Sequence, residues 1–197
     1  MVAFTLDPNF GEFLMTRNEL LVSEDTCEFA VNASNRRHWP QPVARYVDEC
    51  LAGRSGVRRA DFNMRWMGSV VADAHRILLQ GGICIYPRDQ EDTTRIGQIH
   101  AWFIAKPIAF LIEQAGGRAS TGYQSLDRLA LSSFSQRIPL IFGSRNEVER
   151  IERYWVDPQS VSVDLTLFGE RTLFRDWVLP SEAGARVASC AHADIAV

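Results

Sequence analysis

The sequence lacks several features that would place it in a special class of protein. It has no apolar run of the ~18 residues that a membrane-spanning helix needs. Its N-terminus has no basic patch followed by an apolar core and a small-residue cleavage site. A net charge of −3 gives no general attraction to nucleic acid. We therefore expect a cytoplasmic protein without a membrane span and without a nucleic-acid partner.

Cysteine and histidine, the usual zinc ligands, are few and scattered. The chain has four of each, with no C-x-x-C pair and no metal-ligand spacing among the histidines. Asp73 and His75 lie two residues apart on a predicted helix and face different directions, which argues against an acid/base pair. Glu147, Glu149 and Glu152 are expected on a solvated helix face. The residues alone thus predict no metal site and no catalytic residue.

The residues that are present indicate an ordinary globular α/β protein, with 46% apolar and 23% charged residues. The apolar residues Val70, Val71, Ala74, Ile77 and Leu78 recur at three- and four-residue steps. This spacing predicts a helix with one apolar stripe. Gly81-Gly82 is expected to end the helix, and Ile83 to Tyr86 then read as a short buried strand. Within the helix, Asp73 and Arg76 are spaced for a local ion pair.

Further strands and helices are predicted on both sides of this unit. The predicted strands are 2–6, 10–15, 20–22, 27–31 and 138–143, and the predicted helices are 40–53, 107–116 and one after a Ser144–Glu147 capping box. Because strand and helix alternate, we expect a layered α/β/α domain with a mixed, largely parallel sheet. The expected divisions are an N-terminal hairpin with further strands (1–31), the α/β domain (32–156) and a C-terminal tail (157–197). Ligands of such sheets bind at the carboxyl ends of strands, where Asn32 and Tyr86 fall.

A longer pattern extends from Arg65 to Pro87. It reads Arg-Trp-Met-Gly-Ser-Val-Val-Ala-Asp-Ala-His-Arg and continues to Gly-Gly-Ile and Tyr-Pro. This segment closely resembles the sugar-phosphate-binding part of class I fructose-1,6-bisphosphatases. The resemblance continues through Lys106–Phe110 and Gln136–Ser144 and covers about residues 2–155. It implies that residues 1–31 are left over from a missing N-terminal half, because the family's upstream AMP-binding part and metal motif have no counterpart in this chain.

The resemblance implies eight substrate-binding positions. They are Asn32, Asn35, Arg65, Trp66, Gly68, Ser69, Tyr86 and Gln98. In the family, the positions of Asn32, Arg65, Trp66 and Tyr86 hold the 6-phosphate of the sugar, with the arginine reaching into the neighbouring subunit's site. Arginine suits this role because its planar fork binds two phosphate oxygens. In the alternative interpretation, Arg65 pairs with a surface acid and Tyr86 only caps a strand.

Two positions depart from the family pattern. When the sequences are aligned without a gap from Pro107, the family's sugar-phosphate lysine becomes Gln98, and its metal-ligating glutamate becomes Ile104. The family reaction uses two or three Mg²⁺ ions, which require oxygen ligands that isoleucine does not have. We therefore expect no catalytic residue, no metal site and no cofactor in this chain alone.

Three functional hypotheses follow from the resemblance. The chain is the C-terminal half of a fructose-1,6-bisphosphatase of gluconeogenesis or the Calvin cycle, with the catalytic half on another chain. Alternatively, it is a pseudoenzyme that senses sugar phosphates, or an interaction subunit that binds through its N-terminal strand edge and a tail bearing Phe168, Phe174 and Trp177. A remnant of a disabled gene is the third. The expected partners are fructose 6-phosphate or fructose 1,6-bisphosphate, with either a homo-oligomer or a chain that pairs with the N-terminal edge.

Overall fold

The computed structural model of the chain describes residues 1–88 and 97–157. The strands in these residues are β1 (Ala3–Asp7), β2 (Glu12–Arg17), β3 (Glu28–Val31), β4 (Asn63–Met64), β5 (Ile83–Tyr86), β6 (Ile99–His100), β7 (Arg118–Ser120), β8 (Arg137–Ile138) and β9 (Leu140–Gly143). The α-helices are α1 (Gln41–Leu51), α2 (Val70–Gln80), α3 (Lys106–Gln114) and α4 (Arg145–Val156). The predicted tail, with its aromatic residues, lies outside the described residues.

The central sheet has five strands in the order β4-β3-β5-β9-β7. Strand β3 runs parallel to both β4 and β5, whereas β9 runs antiparallel to both β5 and β7. The predicted mixed sheet is thus confirmed, but its two parallel and two antiparallel pairings do not make it largely parallel as expected. None of the helices described in these two ranges is long and apolar enough to cross a membrane.

Helices cover both faces of the sheet. Because side chains alternate along a strand, Phe29 and Val31 of β3 pack with α1 and α4 on one face, and Ala30 packs with α2 and α3 on the other. The β5 residues alternate in the same way, with Ile83 on the first face and Cys84 on the second. Each large apolar side chain buried in these layers contributes about 1.5–3 kcal/mol. The predicted α/β/α layering is therefore confirmed.

The predicted helices are present, but three details differ from the prediction. Val71, which was expected on the apolar stripe of α2, is 71% exposed, because at its position the helix faces away from the sheet. The strand predicted at 138–143 is divided at Pro139 into β8, which pairs with β6, and β9, which joins the central sheet. Proline has no N–H to donate to a strand partner, so the pairing changes there. Residues 20–22 form no strand.

The predicted capping box at the start of α4 is wrong. Ser144 makes no side-chain cap; its hydroxyl accepts from the Gly82 N–H at 3.3 Å. Glu147 is only 3% exposed, so its predicted place on a solvated face is also wrong. Its carboxylate accepts from the Tyr46 hydroxyl (2.7 Å) and from Arg58 Nη2 (2.6 Å). The glutamate therefore ties α4 to α1 inside the protein.

The N-terminal hairpin of β1 and β2 forms a separate two-stranded sheet. Its register opposes Phe4 to Met15 and Leu6 to Phe13, which places these four side chains on one face. All four are exposed, with fractions between 49% and 69%. An isolated two-stranded sheet is marginal in water. The hairpin thus presents an apolar face that nothing in the described residues covers.

The ion pair predicted within α2 is present. Arg76 Nη2 lies 3.5 Å from Asp73 Oδ1, and the Asp73 side chain is fully buried. Burial raises the pKa of the Asp73 carboxyl, and the charge of Arg76 only partly opposes this. A raised folded-state pKa means that the folded protein holds this proton more tightly than the unfolded chain, where the pKa is about 3.9. The contribution of Asp73 therefore lowers the free energy of unfolding as pH rises above that value.

Replacing this carboxyl by an amide removes the cost. We expect the melting temperature of Asp73→Asn, relative to the wild type, to be higher at pH 7 than at pH 4. Thermal unfolding followed by circular dichroism at both pH values measures the difference. Asp61→Asn is the control, because the Asp61 side chain is 65% exposed. A difference that shrinks or stays constant between pH 4 and pH 7 would show that Asp73 is not the titrating group.

Candidate functional site

The candidate site lies where three parallel strands end. Because β4, β3 and β5 run in the same direction, their carboxyl ends meet at one edge of the sheet. The chain leaves that edge at Asn32 after β3, at Arg65 after β4 and at Pro87 after β5. This is the edge at which ligands of open α/β sheets usually bind. The prediction that Asn32 and Tyr86 share it is confirmed.

A cleft opens between these segments. Its lining consists of Asn32, Asn35, His38, Trp39, Trp66, Ile85, Tyr86, Pro87, Arg88 and Gln98. Five of the eight predicted site residues are among them: Asn32, Asn35, Trp66, Tyr86 and Gln98. The cleft has a volume of about 20 Å³, which is enough for a single water molecule. A phosphate group is larger, so its entry requires the rim side chains to move outward, of which Asn32, Arg88 and Gln98 are exposed.

Tyr86 is the buried polar group of the cleft. It is the last residue of β5 and is 7% exposed, and its ring packs against that of Trp66 with 4.9 Å between centroids. Its hydroxyl is buried and has no hydrogen-bond partner among the described residues. Burial, with smaller contributions from Cys84 and Asp73, raises the pKa of Tyr86 above its ordinary value near 10. The hydroxyl therefore stays protonated at neutral pH and can donate to a ligand.

One wall of the cleft is a 3₁₀-helix, Ala33–His38, that begins directly after β3. Asn32 caps it, because the Asn32 Oδ1 accepts from the Ser34 N–H at 3.3 Å and from the Ser34 hydroxyl at 2.6 Å. With three residues per turn, positions 32, 35 and 38 lie on one face of this helix. Asn35 and His38 therefore face the cleft together with Asn32, and the amide Nδ2 of Asn32 is left as a donor.

Sequence reasoning missed the cleft residues that lie near the predicted ones. The sequence signal for His38 is its three-residue spacing from Asn35 and Asn32, which only a 3₁₀-helix places on one face. Its Nε2 accepts from Arg37 Nε at 2.7 Å. Arg88 was missed because it follows the predicted Tyr86 and Pro87 in what reads as a solvated loop. It is the cation in the lining of the cleft.

Three predicted residues do not line the cleft. Arg65 is directed to Glu28, whose Oε1 accepts from Arg65 Nε at 2.6 Å. Gly68 has a φ of +75° and leads into α2, where the Ser69 hydroxyl accepts from the Ala72 N–H at 3.5 Å. Within the single chain, Arg65 thus pairs with a surface acid, as the alternative interpretation expected, and Ser69 serves as a helix cap.

The segment before α3 carries no ligands for a metal. It forms a short π-helix, Ala101–Ala105, in which Ile104 is partly buried against the core, while Trp102 and Phe103 are 43% and 71% exposed. Within residues 1–88 and 97–157, no group of three or more His, Cys, Asp or Glu side chains is placed to hold a metal ion. The donor set of these residues does not fit Mg²⁺, which requires several oxygen ligands.

Comparisons with known proteins identify the family of the chain. Residues 22–156 match the family described as fructose-1-6-bisphosphatase, C-terminal domain. A class 1 fructose-1,6-bisphosphatase of Hydrogenophilus thermoluteolus is 53% identical over 179 residues, which is 91% of this chain and 50% of that protein. The enzyme of Rhodospirillum rubrum is 50% identical over 173 residues, or 88% of this chain and 49% of its own.

Solved structures give the same family. Leishmania major fructose-1,6-bisphosphatase in its holo form superposes with a TM-score of 0.72 at 32% identity, over 79% of this chain and 46% of that one. The chain spans about half the length of the curated relatives it matches. Sequence identity of 50% or more over most of the chain, together with the matched domain, establishes homology. The chain therefore belongs to the fructose-1,6-bisphosphatase family and carries its C-terminal domain.

Proposed function

We propose that this chain is the sugar-phosphate-binding half of a class 1 fructose-1,6-bisphosphatase, and that it binds fructose 6-phosphate or fructose 1,6-bisphosphate without hydrolysing it alone. One observation carries the proposal. Five residues that were selected from the sequence, between Asn32 and Gln98, line a single cleft at the carboxyl edge of the sheet. The ends of three parallel strands bring these distant segments together at the edge where ligands of such sheets usually bind, which supports a shared ligand.

The chemistry of the cleft fits a phosphate monoester. A phosphate offers only acceptor oxygens near neutral pH, so a site for it needs donors and positive charge. The Tyr86 hydroxyl is a buried donor without a partner among the described residues, and Trp66 and Asn32 contribute N–H groups. Arg88 supplies positive charge. Gln98 stands where the family has a lysine. Its amide can still form a hydrogen bond with a ligand, but it carries no positive charge.

Calorimetric titration with fructose 6-phosphate tests the proposal. We expect the wild-type chain to bind, and Tyr86→Phe to weaken binding at least about tenfold, because a hydrogen bond to a charged group contributes about 1.5–3 kcal/mol. The Phe ring keeps the packing against Trp66. Tyr123→Phe is the matched control, since Tyr123 is 53% exposed and packs on Trp155, outside the cleft. Wild-type protein that releases no heat, or equal affinity in Tyr86→Phe, would contradict the proposal.

Hydrolysis needs groups that the described residues do not supply. Mg²⁺, when bound by the family, activates water and neutralises charge on the phosphoryl group. Here Ile104 takes the place of the one metal-ligating glutamate expected in this half. Any turnover therefore requires carboxylates from another polypeptide segment, which would dock next to the cleft.

The hairpin is the surface we propose for that docking. The family match begins at residue 22, yet similarity to the H. thermoluteolus enzyme spans 179 residues and so must begin at or before residue 19. The hairpin, which ends at Arg17, thus lies outside the residues that match the C-terminal domain. Its exposed face of Phe4, Leu6, Phe13 and Met15 offers an apolar area for a partner element.

A second candidate function is a non-catalytic sugar-phosphate sensor or interaction subunit. It is favoured by Ile104 and by the neighbouring aromatic surface, where Trp102 packs on Phe134 with 5.6 Å between ring centroids and Phe134 is 72% exposed. Such a surface suits contact with a protein better than contact with metal ions. We also propose a homo-oligomer, in which Arg65 of one subunit reaches the ligand of its neighbour, because Arg65 lies outside its own cleft.

A further inference from the structure

Four residues beside the cleft form a chain of alternating charges. The guanidinium of Arg65 donates from Nε to Glu28 Oε1 at 2.6 Å. The other oxygen of Glu28, Oε2, accepts from Arg76 Nη1 at 2.9 Å, and Arg76 Nη2 lies 3.5 Å from Asp73 Oδ1. One carboxylate therefore bridges two arginines, and the second arginine reaches a buried acid.

The chain is anchored in the core and ends in solvent. Side-chain exposure rises along it from 0% at Asp73 to 11% at Arg76, 22% at Glu28 and 54% at Arg65. The backbone N–H of Arg65 donates to the Phe29 carbonyl at 2.9 Å, so the Arg65 main chain is also held by β3. The exposed arginine is thus fixed at its backbone and at Nε, both on rigid elements.

The charges explain why the second arginine is needed. A carboxylate next to Arg65 would by itself cancel the charge that an anionic ligand requires. Arg76 contacts the other oxygen of the same carboxylate, so two guanidinium groups share the single negative charge of Glu28. Asp73 lies at the buried end of the chain, on the far side of Arg76 from Arg65. Arg65 can therefore be oriented by Glu28 and still present positive charge. Its two terminal nitrogens Nη1 and Nη2 contact no acceptor among the described residues.

We propose that Glu28, balanced by Arg76, is a positioning residue that holds Arg65 by its Nε and leaves both terminal nitrogens for the phosphate of the bound sugar. The inference rests on the proposed function, since it assumes that Arg65 contacts the ligand. An arginine side chain that is free in solution loses conformational entropy when it binds the ligand. An arginine that Glu28 already orders has lost most of this entropy before binding, so binding costs less. Glu28 thereby raises affinity without touching the ligand.

A purely structural role would look different. The Arg65 side chain is 54% exposed, and ion pairs at such positions contribute little to stability, so Arg65→Ala should barely change the melting temperature. Glu28→Ala also removes a partner of Arg76, which is 11% exposed, so a loss of stability in that variant does not by itself identify a role in binding. If Glu28 acts through Arg65, its effect on binding must disappear once Arg65 is gone. This dependence is what a double-mutant cycle measures.

The experiment compares the affinity for fructose 6-phosphate of the wild type, Glu28→Ala, Arg65→Ala and the double variant. It is done by calorimetry at a concentration at which sedimentation gives an oligomer. We expect Glu28→Ala to weaken binding about two- to tenfold, because that is the entropic cost of ordering one long side chain on binding. The same change in the Arg65→Ala background should have no effect. Glu28→Gln, which keeps an acceptor oxygen, should retain most of the affinity.

Each other outcome overturns the inference. Equal losses from Glu28→Ala in both backgrounds would show that Glu28 acts on the fold and not on Arg65. A wild type that does not bind would overturn the proposed function and this inference together, whereas a wild type that binds with unchanged affinity in Arg65→Ala would overturn only the inference. Asp61→Ala, which breaks the exposed Arg54–Asp61 pair, is the matched control and should leave affinity unchanged.

Discussion

Mixing this chain with an upstream half of a class 1 fructose-1,6-bisphosphatase should produce an active phosphatase that neither part forms alone. In the presence of Mg²⁺ and fructose 1,6-bisphosphate, we expect release of phosphate above the sum of the two separate rates. The proposed function divides the site between the two parts: this chain would supply hydrogen-bond donors to the phosphate, such as Tyr86, and the upstream half would supply the carboxylate ligands of the metal. A coupled phosphate assay measures the rate.

The hairpin provides the control for this experiment. Phe13→Asp places a charge on the exposed apolar face, where Phe13 is 69% exposed, so it should abolish complementation while the chain still folds. Leu51→Asp makes the same kind of change at a leucine that is 64% exposed at the end of α1, and it should have no effect. Absence of turnover at high concentrations of both halves would favour the sensor or interaction subunit.

Replacing the buried glutamate of α4 should have the largest effect on stability. Glu147→Ala leaves the Arg58 guanidinium, whose side chain is 7% exposed, buried without its carboxylate, and the Tyr46 hydroxyl without its acceptor. Breaking one side of a buried pair costs about 3–5 kcal/mol. Urea unfolding followed by fluorescence measures the change in the free energy of unfolding.

A glutamate two residues away is the matched control. The Glu149 side chain is 43% exposed and lies 3.9 Å from Arg118 Nη1, so Glu149→Ala should cost less than about 1 kcal/mol. The two variants share a helix, a residue type and a substitution, and differ only in burial and partners. Similar losses in both would show that the Arg58–Glu147–Tyr46 contacts do not stabilise the protein as we infer.

Features that local interactions determine were predicted well, and features that depend on contacts between distant segments were not. Helix α2 and strand β5 were predicted closely, because a local apolar period and the Gly81-Gly82 stop signal determine them. The predicted burial of Val71 was wrong, because the width of the buried stripe depends on how closely α2 packs on the sheet. The β8–β9 division at Pro139 was missed because an apolar run looks continuous even where its hydrogen-bonding partner changes.

The candidate site shows the same distinction. Asn32 and Tyr86 stand at the ends of predicted strands, Trp66 stands at the entrance of a predicted helix, and all three belong to a recognisable family pattern. His38 and Arg88 were missed, since their part in the cleft appears only when a 3₁₀-helix and the end of β5 are brought side by side. The partner of Arg65 was anticipated only as an unspecified acid, because Glu28 is 37 residues away in the chain.

By itself, the amino-acid sequence determined the family and the alternation of strands and helices. Each of these depends on residue type and local order alone. Only the tertiary structure decided which charges are buried, as for Glu147, and which donors share a cleft, as for Tyr86 and Arg88. The reason is that burial and charge pairing depend on distances between segments far apart in the chain, and folding sets those distances.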